Sequence, residues 1–163
     1  YTFPANKLYK ELMAIPWIKE VDIARIRPDI VRIVLTEKKA IAIWNNEIVT
    51  TYGDLIQDKA VAQVENLPHL IGSESSLEEI LAIYKQLNAE LGKYGFKIDT
   101  LEQRPNHAFE ITLTNGILLK TGKHDTLLRV QRFCKAYPII SESHHQITAV
   151  DLRYPKGMAI QQH

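Results

Sequence analysis

The chain has 163 residues, 45% hydrophobic and 24% charged, with a formal net charge of +1. That length suits one ordinary domain or two small ones, and the composition excludes a disordered or fibrous chain. Near-neutrality excludes a bulk electrostatic pull toward nucleic acid or anionic membrane, and the single cysteine, Cys134, excludes an intramolecular disulfide.

In chain order, Leu8, Leu12 and Ile15 recur at helical spacing from Asn6 to Ile15, with Pro4 placed to enter a helix and Pro16 to end it. WIKEVDIARI reads as a strand in which Val21 and Ile23 share a face. Arg27-Pro28-Asp29 is turn chemistry. IVRIVLTE is a second strand, with Val31, Ile33 and Leu35 on one face and Arg32 and Thr36 on the other. This first α+β unit is too short for independent stability, so a preceding strand is expected. AIAIW, the Asn45-Asn46 turn and EIVTTYG form a hairpin, and the change of composition places a domain boundary near Asn45. LPHLIG, residues 67 to 72, reads as a loop between Pro68 and Gly72.

The clearest helix runs from Ser76 to about Lys93. Its stripe is Leu77, Ile80, Leu81, Tyr84, Leu87 and Leu91, with Ser75 or Ser76 as cap and Gly92 or Gly95 as stop. FEITLTNGILLKTG alternates Phe109, Ile111 and Leu113 with polar residues, and Asn115-Gly116 suits a type I′ turn. A last helix, Asp125 to Ala136, carries Leu127, Leu128, Val130, Phe133 and Cys134 at core spacing. VDLRYPKGMAI then reads as a closing hairpin. No run of about 18 apolar residues spans a bilayer, and the abrupt start on YTFPANK predicts a fragment of a longer protein.

Motifs for catalysis are missing. The six histidines include no HExxH and no i, i+4 pair, and His144 and His145 are adjacent, which suits solvated loops better than zinc. Cys134 lies on an apolar stripe without a neighbouring base, so it reads as a small core residue. No GxSxG and no phosphate-binding glycine loop occurs. Glu78 and Glu79 fall in a helix first turn, where they favour the helix dipole. Lys120, Lys123, Arg129, Arg132 and Lys135 form a basic run that reads as a solvated helix face in preference to a ligand surface. Phe133 and Tyr137 look like core residues and not like base-stacking platforms. An enzyme is not expected, and no cofactor or metal is expected.

Five ordered segments carry a resemblance. IPWIKEVDIARIRPDIVRIVLTEKKAIAIW is similar to I-P-W-[VI]-K-x-V-x-[VI]-x-R-x-W-P-D with its continuation to A-x-W. LPHLIG is similar to L-P-x-L-x-G, NGILLKTG to N-G-[IV]-x-L-x-L-G, RVQRFCKAYP to R-[LV]-x-R-F-x-x-x-Y-P, and VDLRYPKGMAI to V-D-L-R-Y-x-x-G-x-A-[VI]. Each motif alone is weak, but their order over about nine-tenths of the chain resembles the bacterial FtsQ/DivIB cell-division family.

The resemblance implies an α+β protein. A partial POTRA domain (residues 1–45, lacking its first strand) would precede a β domain (46–163) whose mixed sheet carries two helices and ends in an exposed edge strand. It implies the periplasmic part of a single-pass inner-membrane protein at the division septum, anchored by an N-terminal helix outside this sequence. Family members are non-enzymatic scaffolds of the divisome that bind FtsB and FtsL and help control septal peptidoglycan synthesis. The POTRA domain would serve localisation and other divisome partners, and no nucleic acid is implied.

Residue by residue, the partner strand would lie along the last strand. Arg153 and Tyr154 would meet an acidic and an aromatic residue, with Lys156, Gly157, Met158 and Ala159 beside them. A further family arginine just before the Phe109 strand matches Asn106 or His107, with Arg104 slightly upstream. Arg27 stands for a family Trp, Ala40 for a Pro, and Gln162 for a Trp near the last strand. Strict alternation sets Arg153 and Tyr154 on opposite faces, unless Pro155 introduces a bulge. The rival reading is a POTRA-type module of an outer-membrane assembly or secretion system.

Overall fold

A computed structural model describes residues 4–57 and 66–163. The opening Tyr1-Thr2-Phe3 and residues 58–65 within the expected β domain lie outside the described residues. The architecture is α+β. Helix α1 (Ala5–Met13) precedes the antiparallel pair β1 (Ile18–Arg27) and β2 (Ile30–Glu37). Arg27 faces Ile30 across the Pro28-Asp29 turn, as the turn chemistry predicts. Val31, Ile33 and Leu35 do alternate with Arg32, but Ile33 and Leu35 remain 43% and 45% exposed, while α1 packs against β1.

A nine-stranded mixed sheet follows. It contains β3 (Ala40–Trp44), β4 (Glu47–Thr50), β5 (Leu55–Ile56), β6 (His69–Ile71), β7 (Ile98–Gln103), β8 (Phe109–Leu113), β9 (Leu118–Gly122), β10 (Ile147–Asp151) and β11 (Ala159–Gln162), in the order β11-β10-β9-β8-β7-β6-β3-β4-β5. The Asn45-Asn46 turn, with both residues at positive φ, joins β3 to β4 inside this sheet. The break between the two sheets falls at Lys38 and Lys39. The two units are tied at the break by Lys38 N–H donating to Trp17 O (2.8 Å), the Lys38–Asp54 ion pair (2.9 Å) and Lys19 Nζ over the Tyr52 ring (4.2 Å).

LPHLIG is not a loop throughout. His69–Ile71 forms β6, parallel to both β3 and β7, with Leu70 fully buried. Pro68 stands just before the strand, where its missing N–H interrupts no ladder bond of β6, and its carbonyl accepts from Ile43 N–H (2.9 Å). A three-residue strand is too short to show periodicity.

Two crossovers build the core. α2 (Leu77–Gly92) links β6 to β7 and α3 (Thr126–Ser143) links β9 to β10, each joining parallel neighbours. Both helices pack on one sheet face, burying Ile80, Leu87, Leu91, Val130, Phe133 and Cys134 against Leu101, Ile111, Leu119 and Val150. Phe96, Phe133 and Tyr137 close one end with ring centroids 5.0–5.5 Å apart. Leu128 lies off this stripe and is 63% exposed. No serine side chain caps α2; a 3₁₀ turn, Glu74–Ser76, leads into it, with Ser73 Oγ 2.6 Å from Ser76 Oγ. Gly95 stops the helix at φ +80°, its N–H reaching Gly92 O while Phe96 N–H reaches Leu91 O. This is the Schellman pattern, which needs a residue tolerant of the left-handed region. α3 runs past the expected end at Ala136 because Pro138 is exposed, so its missing N–H falls on the solvent side.

Asn115-Gly116 is not a type I′ turn. Gly116 N–H donates to Leu113 O (2.9 Å), Gly116 has φ +92°, and Ile117 N–H donates to Asn115 Oδ1 (3.1 Å), which together make a type I turn closed by a left-handed residue.

Gly72 sits where a Cβ would lie 2.3 Å from Ile80 Cδ1 and 3.4 Å from Trp44 Cη2, both on buried side chains. Gly72→Ala is expected to lower unfolding free energy by about 1–3 kcal/mol, the usual range for overpacking a filled core, read as a lower urea midpoint with an unchanged slope.

Candidate functional site

The sheet's second face is uncovered by helices. There each strand shows its alternate, half-buried residues: Glu102 on β7, Glu110 on β8, Lys120 on β9 and Asp151 on β10. Register sets these four side by side, since Glu102 faces Glu110, Glu110 faces Lys120, and Lys120 lies beside Asp151. A row of charge thus crosses four strands at one end of the open face. Arg104 joins one end through Glu102 (3.4 Å), and Arg153 joins the other through Asp151.

The Arg153 contact is a two-pronged pair: Nε donates to Asp151 Oδ1 (2.8 Å) and Nη2 to Oδ2 (2.6 Å). The backbone N–H of Arg153 donates to the same Oδ1 (3.1 Å). The guanidinium hydrogen bonds hold the Asp151 carboxyl below the ordinary aspartate range, and Asp151 in turn raises Arg153 further. Arg153 keeps Nη1 free of these bonds, on a residue that is itself exposed.

VDLRY is not strand to its end. β10 stops at Asp151, and residues 152–158 are a loop. Leu152 is fully buried and donates its N–H to Lys120 O (2.8 Å), which ends the ladder and turns the chain. Arg153 and Tyr154 therefore lie outside the strand, where the alternation rule no longer applies. Tyr154 is 51% exposed and Lys156 is exposed. Gly157 is half-buried, Met158 packs against the core, and Ala159 opens β11 on the surface. Among the described residues β11 pairs only with β10, from Asp151–Ala159 to Ile147–Gln162, which leaves its outer side an unpaired edge.

Asn106 and Arg104 separate in role. The β7–β8 connection repeats the β8–β9 turn: His107 N–H donates to Arg104 O, Arg104 N–H to Ala108 O, His107 has φ +68°, and Ala108 N–H donates to Asn106 Oδ1 (3.1 Å). Asn106 thus occupies the position of Asn115 and builds the turn. Arg104 is exposed on the same sheet face and end as Arg153.

Within the basic run Lys123 and Lys135 are exposed, as a solvated face requires, but the two arginines turn back onto the fold. Arg129 Nη1 donates to Thr121 O (2.5 Å), and Arg132 Nη1 donates to both Tyr154 O and Gly157 O (2.8 Å each). Sequence reasoning missed these contacts and the role of Asp151. The available signal was the i, i+3 spacing of Arg129 and Arg132 on a helix that returns beside β9 and β10. Burial pushes the Cys134 thiol up to about 11, with Glu90 adding to the shift, so it stays protonated and unreactive near neutral pH. Among the described residues no group of three His, Cys, Asp or Glu could hold a metal ion, and no helix is long and apolar enough to cross a membrane.

Asp151 links the site to pH. Its depressed carboxyl contributes stability above the ordinary aspartate pKa, and that contribution is lost as pH falls through the folded-state value. An NMR titration of the Asp151 carboxyl is expected to show a midpoint below the ordinary value, rising toward it in Arg153→Ala.

Residues 42–153 match the family model described as the C-terminal region of cell division protein FtsQ/DivIB. The chain is 35% identical over 150 residues to the cell division protein FtsQ of Shewanella oneidensis, covering 91% of this chain and 57% of that protein. It is 33% identical to that of Escherichia coli, covering 90% and 55%, and 30% identical to that of Coxiella burnetii, covering 99% and 67%. The chain thus spans a little over half to two thirds of the length of these relatives. The matched region runs from within β3 to Arg153, so β4 to β10, both helices of the large sheet and the charge row fall within it while β11 lies beyond it, and the chain belongs to the FtsQ/DivIB family of cell-division proteins.

Proposed function

We propose that this chain is the periplasmic part of a single-pass inner-membrane scaffold of the divisome. It is non-enzymatic, binds FtsB and FtsL through the edge of β11 and the adjoining loop, and so helps control septal peptidoglycan synthesis. The unit before Lys38 is the partial POTRA domain, open to other divisome partners, and the nine-stranded sheet is the β domain. The sheet break at Lys38 and Lys39 supports this division.

The observation that carries the reading is the unpaired outer edge of β11 beside an exposed arginine and tyrosine. An edge strand leaves a row of N–H and C=O groups that a partner strand can complete, which supplies affinity without sequence choice. Choice comes from the side chains. Arg153 turns a free Nη1 outward for a carboxylate, and Tyr154 offers a flat apolar ring with a polar tip. Lys156, Gly157, Met158 and Ala159 line the approach to the edge. Arg104 lies on the same face and serves a second acidic contact, whereas Asn106 is committed to its turn.

A titration with the FtsB periplasmic segment tests this. Tyr154→Ala and Arg153→Glu are each expected to weaken binding by about thirtyfold, corresponding to about 2 kcal/mol for an interface anchor. Unchanged affinity in both variants would remove the site.

A further inference from the structure

We infer that Arg132 is a positioning residue for partner binding: reaching from α3, it locks the loop that presents Arg153 and Tyr154 in its binding shape before any partner arrives. The inference rests on the β11 edge being the partner site. One nitrogen, Nη1, donates to Tyr154 O and to Gly157 O, each at 2.8 Å. Those carbonyls bracket the Pro155-Lys156 turn, so a single guanidinium fixes the separation of the two ends of the turn. Pro155 has no N–H to contribute, which leaves the loop short of backbone donors.

The anchor is rigid on its own side. Arg132 is followed on α3 by the buried Phe133 and Cys134, and Val130 lies two residues before it. The loop's other fixed points lie upstream, at Leu152 N–H on Lys120 O and at Arg153 on Asp151. With Arg132 in place, Tyr154 and the start of β11 are held from both sides. Without it, residues 154–157 must be ordered when the partner docks, and that entropy is charged against affinity.

The test uses the whole chain with R132Q. Amide hydrogen exchange at Tyr154 and at Lys156 to Met158 is expected to quicken about tenfold, while core amides of α3 stay protected. Affinity for the FtsB periplasmic segment is expected to fall about tenfold, the scale of ordering one backbone residue. R132K, whose ammonium can reach both carbonyls with separate N–H groups, should recover most of both losses. R132M keeps the apolar stem and carries the same comparison if R132Q loses its fold. Lower affinity with unchanged exchange would mean that Arg132 touches the partner directly, and would overturn the inference. Faster exchange with unchanged affinity would overturn it as well. If Tyr154→Ala leaves binding intact, the partner site itself is misplaced, and that outcome is separate from the fate of the loop.

Discussion

The structure depends on one-sided burial of a large sheet. α2 and α3 each return the chain to a parallel neighbour, and both lie on the same face. Right-handed crossovers from strands moving outward along a sheet bring this about naturally. β10 then lies outside β9, and a hairpin after β10 can only turn farther outward. The edge position of β11 is therefore a result of connectivity. The face without helices must be polar enough to meet water, and its alternate positions supply the charges.

Those charges are arranged so that none of the four strands has to bear a single sign alone. Lys120 lies between Glu110 and Asp151, and the two arginines at the ends each share a carboxylate. Exposed pairs of this kind add little stability. Their effect is to orient: a guanidinium held through Nε and one terminal nitrogen has a fixed plane, and its remaining donors point in a known direction. Asp151 consequently fixes the plane of the Arg153 guanidinium through two of its nitrogens.

Much of this was readable in the residues. Long amphipathic periods gave α2 and α3 and alternation gave β8, because each buries one continuous face, whereas β1 and β2 were legible from alternation and the Pro28-Asp29 turn although β2 buries no residue. The five ordered motifs pointed to the family that the comparisons show. Where the reading slipped, local rules competed with tertiary ones. His69–Ile71 looks like a loop because proline and glycine flank it, yet parallel partners on both sides make it a strand. KIDTLEQ carries polar residues at the open-face positions and so gives no strong signal for β7. Asn106-His107 and Asn115-Gly116 build the same turn, but only the glycine advertises it. The arginines of α3 looked solvated because their acceptors are backbone carbonyls, which no sequence pattern displays.

The sheet has two ends, and they are unequal. β11 offers four residues with a free side, whereas the opposite end is β5, a strand of only two residues, followed by Gln57, whose side chain is bonded to Glu47 (2.8 Å). Molecules with a long open edge at both ends can join head to tail without limit, since such contacts do not close on themselves. Among the described residues the β5 end gives a ladder of only two residues, too brief to extend a neighbour's sheet. Among the described residues, then, β11 is the one end of the sheet with a long side on which a ladder could grow.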